Sequence, residues 1–193
     1  MERTFLTAAV LAVSATAGAQ GYFPFGEIPG LDVKPSVEIN LNPAMLGFVR
    51  EAAKGANVET ASALAGITGV RVYVYEDIDH NMDEMLEFVD RTSTTLERDG
   101  WHPAVRINED DEQVRVYVKP MAPDAANPGG TIAGLTVMIT DGGPSGEAVF
   151  INIAGVIQPA QLGQVAGAIG MGGIFNGIPV LVVPNSPSPG SDQ

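Results

Sequence analysis

Six side chains on two short stretches carry the clearest chemistry in this chain of 193 residues. Val70, Val72 and Val74 alternate with Arg71, Tyr73 and Tyr75, and Val114, Val116 and Val118 alternate with Arg115, Tyr117 and Lys119. A period of two is that of a strand, so each polar trio falls on one face. If the two strands are neighbours, their cations and phenols gather on one sheet face of an otherwise acidic protein. Arg and Tyr are enriched where proteins hold partners, and a guanidinium over a phenol ring adds attraction. Cross-strand pairing on a solvated sheet uses the same residue types. The six are therefore a candidate binding surface.

Other groupings fall short of a mechanism. Asp77, Asp79, Asp83 and Glu84 alternate like a calcium loop, but the position that needs Gly holds Met82 and the one that needs Glu holds Phe88. Negative charge at a helix start explains them instead. His80 and His102 lack any ligand spacing. Ser145 lies in Gly143-Pro144-Ser145-Gly146, which is a tight turn and lacks the Gly-x-Ser-x-Gly elbow. Gly170, Gly172 and Gly173 lack the Lys and the strand-loop-helix setting of a phosphate loop. The carboxylates of residues 109–112 crowd a hairpin tip, a solvated setting rather than the burial that paired acid/base work needs. No catalytic residue, metal ligand or cofactor is expected.

The elements that position the six residues follow from the pattern. Residues 37–41 alternate as a strand. Asn42 and Pro43 then give an N-cap and a first helical residue. A helix follows to Gly55, and a second covers residues 58–65. After the strand at 70–76, Asn81 caps a helix with an apolar stripe of Met82, Met85, Leu86, Val89 and Leu96. Gly100 stands just past its end. Strands follow at 105–107, 114–119, 132–140 and 148–153, and a helix begins at Gln158-Pro159. Residues 178–183 read as one more short strand. This order predicts an α+β two-layer sandwich, with an antiparallel or mixed sheet of about five to six strands and helices packed on one face.

Composition narrows the function. The net charge of −13 repels nucleic acid and anionic lipid. The absence of cysteine excludes disulfides, thiolate metal sites and cysteine nucleophiles. Met1, Glu2 and Arg3 precede an apolar run that ends in Ala17-Gly18-Ala19, a small-x-small cleavage pattern. Residues 1–19 are thus expected to be a cleaved signal peptide, with no later span and a periplasmic or secreted product. Residues 20–35 read as a flexible Gly/Pro linker, 36–169 as a single domain, 170–183 as a Gly-rich apolar extension and 184–193 as a disordered tail.

Several stretches, taken together, carry a resemblance. They are Val70-Arg71-Val72-Tyr73-Val74-Tyr75-Glu76, Gly100-Trp101, the run 109–118, Ile132-Ala133-Gly134-Leu135-Thr136-Val137 and the run 147–155. From about Ser36 to about Ala168 the chain resembles an exported bacterial family catalogued as domain of unknown function 4252. The resemblance implies a single envelope-located domain, points toward envelope signalling, and supplies no activity or catalytic residues. Residues 170–183 depart from it. The expected function is that of a non-enzymatic envelope protein, a module that binds a protein or small ligand. The alternatives are a carrier or sensor of apolar ligands or membrane surface, built on residues 163–183, and a metal-dependent or other hydrolase.

Overall fold

The computed structural model describes residues 21–28, 32–56, 58–109, 112–121 and 130–158. Six strands form one sheet: β1 (Val37–Leu41), β2 (Ile67–Glu76), β3 (His102–Asn108), β4 (Glu112–Pro120), β5 (Ile132–Asp141) and β6 (Glu147–Ile157). Their spatial order is β1-β2-β6-β5-β4-β3, with every pair antiparallel. Helices α1 (Pro43–Ala56) and α2 (Val58–Ala65) connect β1 to β2, and α3 (Met82–Arg98) connects β2 to β3. The expected α+β sandwich with an antiparallel sheet stands. The helix expected from Gln158 and the strand at 178–183 lie outside the described residues.

Local signals set several boundaries. Asn42 Oδ1 accepts the Ala44 and Met45 N–H groups, each at 3.0 Å, so the amide caps the start of α1. Gly100 has φ of 78° and follows α3, where a left-handed residue ends the helix. The hairpin between β5 and β6 turns through Gly146, at φ 62°. A Cβ there would sit 2.5 Å from the Asp79 nitrogen, so only glycine lets this hairpin dock on the short 3₁₀ turn Asp79–Asn81. Ser145 accepts the Asp79 N–H through its backbone carbonyl, as part of that docked turn.

The sheet has a valine face and an aromatic face, because strand side chains alternate. Val70, Val72, Val114, Val116, Leu135, Val137, Ile151 and Ile153 share the first cluster, with Leu46 of α1 and Leu64 of α2. Tyr75, Tyr117, Met138 and Phe150 share the second, with Met85, Phe88, Val89 and Leu96 of α3. The helices thus divide between the two faces, where packing on one face was expected. The connections explain the division. The apolar stripe of α3 meets the tyrosine side of β2, while α1 and α2 meet its valine side. Residues 21–28, expected in a flexible linker, join the aromatic cluster through buried Phe25 and Ile28.

Candidate functional site

The six candidate residues do share one face. Arg71 aligns with Asn152, Asn152 with Thr136, and Thr136 with Tyr117. One step along, Tyr73 aligns with Phe150, Met138 and Arg115. The two trios are not neighbours, however, because β6 and β5 lie between β2 and β4. Nor is the face open, since α3 and residues 21–28 cover it. The stripe therefore splits into two halves with different surroundings.

The β4 half clamps α3 to the sheet. Tyr117 is fully buried, and its hydroxyl donates to Glu97 at 3.2 Å and accepts from Arg106 at 3.1 Å. Arg106 also pairs with Glu97 directly. Arg115, with its side chain 13% exposed, reaches Asp90 of α3 at 3.1 Å and Gln113 at 3.1 Å. Lys119 donates to the Asp99 carbonyl at the end of α3, where the helix dipole favours a cation. These contacts tie Asp90 and Glu97, two turns apart on the helix, and its C-cap Asp99 to one strand. Most of their chemistry is spent inside the molecule, although the Arg115 Nε is buried without an acceptor.

The β2 half remains accessible at two recesses. Tyr73 and Tyr75 stand in a cleft of about 740 Å³ with Glu27, Asp32, Lys34 and Glu38 around it. Burial raises the pKa of both phenols above its ordinary value, and Glu38 pushes each in the same direction. Both rings therefore stay neutral and able to donate at physiological pH. Arg71 lies beside a second recess, of about 360 Å³, between the ends of β1, β2 and β6. The Tyr22 ring covers its guanidinium, with 4.0 Å from Cζ to the ring centroid.

Residues 21–28 hold these recesses in place, a role that the sequence pattern of β2 and β4 alone does not reveal. Asn152 is buried on β6 and acts as the anchor. Its Oδ1 accepts the Phe23 N–H at 3.1 Å, while its Nδ2 donates to the carbonyls of Gly21 and Leu135 and to the Thr136 hydroxyl. Phe25 then packs edge-on to Tyr73, at 6.2 Å between ring centres, and against Phe150 at 5.3 Å. The segment runs close to β5. A Cβ on Gly134 would lie 2.6 Å from the Gly21 Cα and 2.7 Å from Trp101. One sequence signal marks this anchor: a lone amide in the apolar run Val149–Ile153 must find partners if it is buried.

Other candidates are placed plainly. His80 is almost wholly exposed and lies near Asp79 only, and His102 is exposed at the start of β3. Among the described residues, no group of three or more His, Asp or Glu side chains converges as a metal site would require. Residues 110 and 111 of the acidic tip, and residues 163–183, lie outside the described residues. Among those described, no helix is long and apolar enough to cross a membrane.

Fold and site together define an α+β domain whose six-stranded sheet carries its recesses along one edge. The chain belongs to the family described as domain of unknown function (DUF4252), whose model matches residues 33–165. No curated protein and no solved structure matches it.

Proposed function

We propose that this chain is an exported envelope protein that binds a partner through the β2 half of the Tyr/Arg stripe. The carrying observation is the Tyr73–Tyr75 cleft. It is large enough to seat a side chain or a small ligand, and its two phenols are protonated donors whose pKa burial raises further. Amphipathic rings at the foot of a recess, with charges at its rim, are the arrangement that binding hot spots favour. The reading of residues 1–19 as a cleaved export signal belongs to this proposal and places the encounter in the periplasm or outside the cell.

Capture from envelope extract tests the reading. Immobilised protein should retain a partner, and the pair Tyr73→Ala and Glu38→Ala should reduce its capture at least tenfold, since truncated hot spots cost about 2 kcal/mol or more. The variant's circular dichroism should match the parent's. Equal capture by the folded variant would contradict the proposal.

A further inference from the structure

The recess beside Arg71 differs in charge from the rest of the molecule. The chain holds 23 carboxylates against 10 Lys and Arg, yet no carboxylate lines this recess. The other arginines among the described residues have evident partners. Arg91, Arg98, Arg106 and Arg115 pair with Glu87, Asp99, Glu97 and Asp90, and Arg50 donates to the Ala65 carbonyl at the end of α2. Arg71 has no ion pair among the described residues. Its Nε makes one long contact, 3.4 Å to Asn40 Oδ1, and its Nη1 is buried without any acceptor.

Two more donors face the same space. Asn42 spends its Oδ1 on the Ala44 and Met45 N–H groups, and Asn40 turns its Oδ1 toward Arg71. Each amide then has its Nδ2 to offer, and both residues line the recess. Asn152 and Thr68 also line it but are already committed, Asn152 to residues 21–28 and β5, Thr68 to the Ala154 carbonyl. The rest of the wall is apolar, with Pro43 and Ala154 nearest the guanidinium's side of the sheet and Leu41 and Val70 turned toward the valine face. The Arg71 Nη1 is thus a buried donor in want of an acceptor, a condition that costs free energy until an acceptor arrives.

We infer that this recess binds a small organic carboxylate with an apolar body, its oxygens on Arg71 and its body against Pro43 and Ala154. A guanidinium fork matches a carboxylate in plane and spacing. A single arginine neutralises one negative charge, so a phosphate dianion would leave charge uncompensated in a chain that is already acidic. A site of about 360 Å³ accepts a body of a few carbons and excludes a large ligand. To reach Nη1 the carboxylate displaces the Tyr22 ring, which is 40% exposed, and trades its contact with the guanidinium for a charge-assisted one. The inference rests on the binding reading above and names a ligand class for the same strand, one residue pair away from the Tyr73 cleft.

Titration calorimetry of the purified protein decides it, with N-acetyl-L-valine, its uncharged amide and inorganic phosphate as probes. The carboxylate should bind at least tenfold more tightly than the amide or phosphate, as the added charge-assisted contacts require. Arg71→Gln should weaken it tenfold or more, and Arg71→Lys should recover part of the loss. In the unsubstituted protein, the Arg71 Nε resonance should move on adding the carboxylate, a readout that does not depend on any variant folding. Equal binding of the amide, tighter binding of phosphate, unchanged binding by Arg71→Gln, or no shift at Arg71 would each overturn the assignment. Partner capture at Tyr73 is read separately. If it persists while the carboxylate fails, the ligand class falls and the binding module stands.

Discussion

Replacing Asn152 with Leu should cost about 3 kcal/mol of stability and free the segment over residues 21–28. The size follows from what one buried amide does. Its four hydrogen bonds reach Phe23, Gly21, Leu135 and Thr136, and the site is only 1% exposed. Leu has a similar volume and no donors. If the segment stays, the Phe23 N–H and Gly21 carbonyl are buried unpaired; if it lifts, Phe25 and Ile28 return to water. Either route is expensive, and the second exposes Tyr73. Denaturant unfolding gives the stability, and amide hydrogen exchange at residues 22–28 gives the release. Loss below about 0.5 kcal/mol with exchange unchanged would show that the segment holds without its anchor.

Phe150→Ala should be the most damaging single truncation on the aromatic face, at about 4 kcal/mol. Phe150 is 1% exposed and sits among Phe25, Tyr75 and Phe88, with ring centres 5.3, 6.0 and 5.4 Å away. It joins the three layers of that face: the N-terminal segment, β2 and α3. Its removal leaves a cavity that no single neighbour can close, because each is held by a different element. Phe150→Leu keeps most of the volume and should cost about 1.5 kcal/mol. Guanidinium unfolding midpoints at constant slope measure both. A Phe150→Ala loss under about 1.5 kcal/mol would mean that the face repacks freely.

Much of this fold is legible in the residues. Asn42-Pro43 fixes the start of α1, Gly100 the end of α3, and the Val/Tyr alternation fixes strands β2 and β4 along with the face on which each side chain stands. What the alternation cannot give is strand order. Nothing local in residues 70–76 says that β2 pairs with β6, since that choice is made by the long-range fit of two faces. The same limit governed the site. Tyr is a residue for solvent, interface and core alike, so Tyr117 and Tyr73 look identical in sequence. Only packing separates the fully buried Tyr117, bonded to Glu97 and Arg106, from the half-buried Tyr73 over a cleft. The Gly/Pro-rich stretch over residues 20–35 reads as a linker by composition. Its Phe23 and Phe25 nonetheless find an aromatic face to bury, and hydrophobic burial outweighs the backbone freedom that glycine and proline leave.

The two halves of the stripe differ in kind: β4 spends its charges on the fold, while β2, in the proposal above, keeps its arginine for a ligand. Equilibrium unfolding of the matched variants Arg115→Gln and Arg71→Gln measures this directly. Arg115→Gln removes the contacts to Asp90 and Gln113 from a largely buried side chain and should lose about 1.5 kcal/mol. Arg71→Gln removes a guanidinium with a buried, unpaired Nη1 and should stay within about 0.5 kcal/mol of the parent, or exceed it, as residues held for function often do. An Arg71→Gln loss as large as that of Arg115→Gln would contradict the account, because Arg71 would then be one more strut of the fold.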